Sequence, residues 1–133
     1  MDKTNIISNL IVSIKNSYSN KNKFAYCKIN KFVTNILWLL YKEGLISDFK
    51  IDSETNTIKI KLKYIKTKPL LTEIKLISKP QLQKFVDYNE VKKYQNKFDY
   101  FFLSTSNGIV SSKILLKNKS IGGKILFGLK LNS

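Results

Sequence analysis

Between residues 57 and 65 the chain reads Thr-Ile-Lys-Ile-Lys-Leu-Lys-Tyr-Ile, so Ile58, Ile60, Leu62 and Tyr64 alternate with Lys59, Lys61 and Lys63. Successive side chains point to opposite faces only in an extended strand; a helix would scatter both sets around its circumference. The tract therefore predicts a strand with one face on an apolar core and the other wet or against phosphate. One wet face is the habit of antiparallel sheets. Residues 46–51 supply a hairpin partner, with the polar stretch 52–56 as the turn.

The tracts around this hairpin carry helical periodicity. Ile6, Ile7, Leu10, Ile11, Ile14 and Tyr18 share one helical face over residues 5–18. Residues 20–23 are polar and break the pattern, and the aromatic stretch 24–29 predicts a short strand. Asn30 is placed to cap a second helix with Phe32, Val33, Ile36, Leu37 and Leu40 as its apolar stripe. Gly44 is placed to stop it. Beyond Pro69, residues 71–77 predict a further strand, and Ser78-Lys79-Pro80 marks a boundary between subdomains 1–78 and 79–133. The second subdomain predicts strands at 82–86, 100–105 and 125–131, short helices at 89–94 and 112–119, and turns at Asn107-Gly108 and Gly122-Gly123. The predicted class is α+β: an N-terminal α-β-α-β-β(-β) unit, then mixed β structure with short helices.

Charge decides the class of partner. The chain of 133 residues carries 24 lysines against 9 acids, a net +15, with no arginine and no histidine. Such a chain repels itself unless a polyanion neutralises it. Residues 79–133 are the denser part, since 10 lysines against 3 acids give +7, whereas 14 against 6 give +8 over the longer stretch 1–78. No apolar run approaches the ~20 residues of a spanning helix, and the N-terminal residues lack a signal-peptide pattern, so no membrane partner is expected. A single alanine, Ala25, beside abundant lysine, asparagine and isoleucine is the bias of a very AT-rich gene. Small organellar genomes are the commonest place to find the total loss of arginine.

The same composition removes most chemistry. Without histidine there is no Ser-His-Asp arrangement and no histidine metal ligand, and the lone Cys27 forms neither an intramolecular disulfide nor a cysteine zinc site. Ser112 precedes Lys113, but lysine is too common here to signal a dyad. Glu43, Asp48, Asp52 and Glu54 read as solvated turn acids, and Cys27 and Trp38 as core residues. The tract 120–124, Ser-Ile-Gly-Gly-Lys, fails as a phosphate loop because Asn118 and Ile125 stand where glycine and a hydroxyl are needed. The aromatic run Phe98-Asp99-Tyr100-Phe101-Phe102 suits a buried central strand better than a base-stacking platform. No enzyme activity, cofactor, metal or small-molecule substrate is expected. Ser104-Thr105-Ser106-Asn107-Gly108 ends a strand with three hydroxyls, an amide and a glycine. These suit phosphate, ribose and base edges, and equally an ordinary capped turn.

Four tracts in order resemble the eighth protein of the small ribosomal subunit in its bacterial and organellar form. Residues 13–16, Ser-Ile-Lys-Asn, match the end of that family's first helix, and 42–49, Lys-Glu-Gly-Leu-Ile-Ser-Asp-Phe, its helix stop and first hairpin arm. Residues 104–110, Ser-Thr-Ser-Asn-Gly-Ile-Val, resemble its Ser-Thr-Ser-Lys-Gly signature, and 121–125, Ile-Gly-Gly-Lys-Ile, its closing Leu-Gly-Gly-Glu-Ile. The chain departs at Asn5-Ile6, where the family has Asp-Pro. It departs again at residues 78–83, which lose a glycine and both arginines, and at Asn107 and Lys124, which replace lysine and glutamate. The resemblance implies a two-domain structural protein that binds the central domain of small-subunit ribosomal RNA beside neighbouring small-subunit proteins. It further implies a role in platform assembly. The RNA contacts it implies are Ser104, Thr105, Ser106, Asn107, Gly108, Gly122, Gly123 and Lys124, with Lys15 and Asn16 of the first helix. The expected setting is a mitochondrial ribosome encoded in the organelle, or else a plastid or an AT-rich bacterial cytoplasm. The rival reading is a free-standing basic module for RNA or an anionic surface.

Overall fold

A computed structural model describes residues 3–78, 85–105, 108–113 and 123–132. Its elements in chain order are α1 (Lys3–Ser19), β1 (Phe24–Lys28), α2 (Lys31–Lys42), β2 (Asp48–Asp52), β3 (Thr57–Lys61), β4 (Tyr64–Ile65), β5 (Lys68–Pro69), β6 (Leu71–Leu76), β7 (Phe85–Val86), α3 (Tyr88–Tyr94), β8 (Tyr100–Thr105), β9 (Gly108–Ser111) and β10 (Gly123–Leu131). The fold is α+β, with antiparallel sheets throughout the described residues.

The alternating tract forms the centre of a three-stranded sheet in the order β1-β3-β2. Ile58 and Ile60 are fully buried, while Lys59 and Lys61 stay exposed. The strand ends at Lys61, earlier than the alternation suggests, because Tyr64–Ile65 leaves to pair with Lys68–Pro69 in a separate hairpin. Lys63 is only half-buried, and its Nζ donates to the Gly44 carbonyl at 3.1 Å.

The helices cover the inner face. Asn30 caps α2 by accepting from the amides of Phe32 and Val33 at 2.8 and 3.3 Å. At the other end Gly44 takes φ +74°; its amide donates to the Tyr41 carbonyl at 3.0 Å, and that of Leu45 to Leu40 at 2.8 Å. This pair of crossed bonds is a Schellman stop. The predicted stripes are buried at Ile7, Leu10, Ile11, Ile14, Val33, Ile36, Leu37 and Leu40. Trp38 departs from its expected place in the core. It lies off the α2 stripe, 51% exposed, with its ring edge-on to Tyr41 and Phe49 at 5.8 Å each.

The second sheet runs β6-β10-β8-β9, with β7 also pairing β10. Its central strands β8 and β10 are buried on both faces. Phe102, Phe127 and Leu129 join the large core beneath α1 and α2, while Phe101, Leu103 and Ile125 form a smaller core with Val86, Val91 and Phe98. Two-sided burial explains near-continuous apolar strands, and it makes the 98–102 aromatic run structural. A register shift between Ile125 and Phe127 accommodates both the large and the small core along one strand. Ser78, read as a boundary, is buried: its hydroxyl donates to the Ile125 carbonyl and its amide to Leu126 at 3.3 Å. Strand β6, although it precedes residue 78, hydrogen-bonds to β10 in this second sheet. The predicted helix at 112–119 lies mostly outside the described residues, and Ile109 to Ser111, not anticipated as a strand, complete a hairpin with β8.

Candidate RNA interface

One end of the second sheet gathers residues from four strands. Lys124 of β10 pairs with Ser104 of β8 on one side and with Phe85 of β7 on the other, and Ser104 pairs in turn with Ile109 of β9. Cross-strand partners share a face, so Phe85, Lys124, Ser104 and Ile109 form one row about 14 Å wide at the usual strand spacing. Thr105 pairs with Gly108 at the mouth of the β8–β9 turn. The serine-rich turn and the start of β10 are thus neighbours within one sheet. Ser106, Asn107 and Gly122 lie outside the described residues.

Close packing depends on Gly123. It opens β10 and is not part of a free turn; a Cβ there would run into the Ser104 carbonyl oxygen and approach Thr105 Cγ2 to 3.1 Å. Gly108 takes φ +100° with open space around its Cα, the left-handed backbone that favours glycine. The Thr105 hydroxyl donates to the Gly108 carbonyl at 2.8 Å, so part of its hydrogen-bonding capacity holds the turn. The Ser104 hydroxyl, half-buried, makes no hydrogen bond among the described residues.

Sequence reasoning missed Phe85, which is 68% exposed beside Lys124. An exposed ring next to a cation suits base stacking and phosphate contact side by side. The tract 82–86 reads as a strand in the sequence, but which residue stands beside Phe85 is set by cross-strand pairing, so only the structure reveals its company.

Lys15 and Asn16 are exposed on α1, but at the other end of the sheet. Lys15 borders a groove of about 480 Å³ with Glu73 and Ile74 of β6. Ile74 pairs with Leu129, five residues along β10 from Lys124, or about 17 Å. The two sets do not form one compact contact.

The remaining polar clusters are structural. Glu43 is not simply solvated: it accepts from the Ser111 hydroxyl at 3.2 Å and lies 3.8 Å from Lys113 Nζ. Lys113 is held above the ordinary lysine range by its hydrogen bond with Tyr100 and the nearby Glu43 charge, so it stays an ammonium and no base for Ser112. The Ser112 oxygen itself accepts from the Phe101 amide at 3.3 Å. Burial pushes the Cys27 thiol up to about 11, away from nucleophilic use. Among the described residues no three His, Cys, Asp or Glu side chains converge on a metal position, and no helix is long and apolar enough to cross a membrane.

A basic α+β chain with a polar, glycine-bearing sheet end has the features of an RNA-binding structural protein. Comparison with known proteins resolves the family. The profile described as "Ribosomal protein S8" matches residues 5–129. The "Small ribosomal subunit protein uS8" of Malacoplasma penetrans is 34% identical over 123 residues, covering 90% of this chain and 93% of that protein. The protein of the same name from Ehrlichia canis is 33% identical over 125 residues, covering 92% and 94%. That of Wigglesworthia glossinidia brevipalpis is 32% identical over 121 residues, covering 90% and 92%. The chain belongs to the ribosomal protein S8 family, and so to the structural proteins of the small ribosomal subunit.

Proposed function

We propose that this protein binds small-subunit ribosomal RNA directly, in its central domain, through the sheet end that holds Ser104 and Lys124, and that it supports assembly of the subunit platform beside neighbouring ribosomal proteins. The observation that carries this reading is the pairing of Lys124 with Ser104, which sets the serine-rich turn beside the start of β10. Lysines neutralise phosphate and release counterions, while the turn residues 104–108 and the glycines at 122 and 123 supply shape and short donors. Lysine lacks the bidentate fork of arginine, so with no arginine in the chain positional specificity rests on turn geometry. Lys15 and Asn16 make a second, separate contact on the same RNA.

The composition supports an organelle-encoded, mitochondrial subunit; the three relatives named above are bacterial, and an AT-rich bacterium is compatible with the same composition. Sedimentation of purified mitochondrial ribosomes distinguishes these settings, since the protein should travel stoichiometrically with the small subunit and resist a mild salt wash.

Binding to a central-domain transcript and to a random RNA of equal length tests the site. Ser104→Ala and Ser106→Ala are each expected to weaken cognate binding by about 1–3 kcal/mol with little effect on the random RNA. Lys124→Ala is expected to weaken both alike, and Lys15→Ala to lower the log–log salt slope by about one unit or slightly less. Unchanged cognate affinity in both serine variants sinks the proposed site.

A further inference from the structure

Among the described residues the outer face of the β1-β3-β2 sheet is largely exposed, and its register gathers an unusual set of side chains. Tyr26 lies directly across from Lys59, which lies directly across from Lys50. One pair along, Phe24, Lys61 and Asp48 form a second row on the same face, and Lys28, Thr57 and Asp52 a third. Tyr26 is 55% exposed, and Lys28, Lys50, Lys59 and Lys61 are all exposed. Lys59 Nζ sits 4.0 Å from the centroid of the Phe24 ring.

Two observations argue against an idle solvated face. Like charges placed directly opposite on neighbouring strands destabilise a sheet, yet Lys50 and Lys59 occupy such positions. The local acids do not neutralise them. Asp48 accepts from the Phe49 amide at 2.8 Å and Asp52 from the Glu54 amide at 3.0 Å, and among the described residues none of the four lysines lies within ion-pair distance of a carboxylate. An anion crossing the Lys50–Lys59 pair removes the repulsion, and Tyr26 offers a ring at the edge of the same row. Base stacking beside phosphate neutralisation is the chemistry of single-stranded RNA on a sheet.

We propose that this face is a second RNA-binding surface, taking a short single-stranded RNA segment with one base on Tyr26 and its phosphates on Lys50, Lys59 and Lys61. It extends the reading above to the N-terminal sheet and is tested apart from it. The probe is a labelled 12-nucleotide oligouridine bound to the full chain, with the central-domain transcript as a second probe. Tyr26→Ala is expected to weaken oligouridine binding about five- to a hundredfold, and Tyr26→Phe to restore it, because the phenyl ring keeps the stacking surface. Lys50→Gln with Lys59→Gln is expected to lower the single-strand salt slope by about 1.4, the release from two phosphates. The control removes the same charge from α3, as Lys92→Gln with Lys93→Gln, and is expected to cost less affinity. Thermal midpoints identify any variant that fails to fold, and for such a variant Tyr26→Thr and Lys59→Gln alone take its place. The proposal is overturned if Tyr26→Ala binds oligouridine like the parent, or if the sheet lysines cost no more than the α3 lysines. Loss of transcript binding in the Ser104 variant with oligouridine binding intact leaves this surface standing. The reverse pattern, with the sheet variants binding both probes normally, removes it and leaves the Ser104 site untouched.

Discussion

Thr67 carries an uncomfortable backbone: φ is +69° at a β-branched residue, next to Lys66 at +51°, in the two-residue loop between β4 and β5. Both central residues at positive φ is the requirement of a tight hairpin turn, normally met by Asn-Gly or Gly-Gly. A left-handed non-glycine residue costs roughly 1–2 kcal/mol, and glycine gives back part of that gain through its freer unfolded chain. Thr67→Gly is therefore expected to stabilise the protein by roughly 0.5–1 kcal/mol, read as a higher urea midpoint at unchanged slope. Gly128 poses the opposite constraint. A Cβ there would stand 2.5 Å from Phe98 Cγ, because the ring packs flat on the strand backbone. Gly128→Ala is expected to cost about 1–3 kcal/mol as the ring or the strand is displaced, with the loss measurable by the same denaturation. The Thr67 strain and the Gly128 contact were both invisible in sequence. Backbone angles at a loop, and the partner that crosses a glycine, are set by neighbours distant in the chain.

At the scale of elements, α2 is the best-defined unit because its start, stripe and stop are all encoded locally. Asn30→Ala removes the acceptor for two amides at the helix start. It is expected to cost about 1 kcal/mol, seen as a lower thermal midpoint. Strand β3 is as legible, since alternation assigns its faces without knowledge of its partners. Ile60→Ala, at a fully buried position, is expected to cost roughly 2–5 kcal/mol; a cost within a few tenths of a kcal/mol would contradict its burial, because even a collapsed site loses the transfer free energy of the deleted groups. Strand β9 escaped notice because Ile109-Val110 is too short to show a period. The serine-rich turn was legible as a candidate site, but the donation from Thr105 to Gly108 was not, so the division between turn-holding and ligand-facing hydroxyls required coordinates.

For the whole molecule, titration at high pH is a distinctive readout. Burial raises the Tyr18 phenol to about 12, against an ordinary value of 10.0, while its hydroxyl donates to the Lys63 carbonyl at 3.0 Å. Cys27 is raised by burial to about 11 from 9.0. Both groups hold their protons longer when folded than when unfolded, so the unfolded state binds fewer protons above pH 9 and stability falls as pH rises. The loss is expected to begin near pH 9 with Cys27 and to run on to about pH 12 with Tyr18. Tyr18→Phe should flatten the upper part of that fall, checked by denaturation at stepped pH. The net charge of +15 acts in the same experiment, because deprotonating lysines at high pH also relieves repulsion; comparing Tyr18→Phe with the parent at each pH cancels that background.

What the sequence determined by itself is local in origin: the helix faces, the Asn30 and Gly44 caps, the β3 alternation and the lysine excess that selects a polyanion. Each depends on residues within a turn or two of one another, or on composition, which needs no geometry. Only the tertiary structure decided that β6 crosses the residue-78 division to join β10, that β8 and β10 are buried on both faces, and that Phe85 and Ser104 flank Lys124. It also decided that Trp38 stays at the surface and that Lys15 shares a groove with Ile74, whose partner Leu129 stands about 17 Å along β10 from Lys124. Antiparallel pairing joins residues tens of positions apart, and its register is chosen by the burial of both partners together. No single strand carries that information.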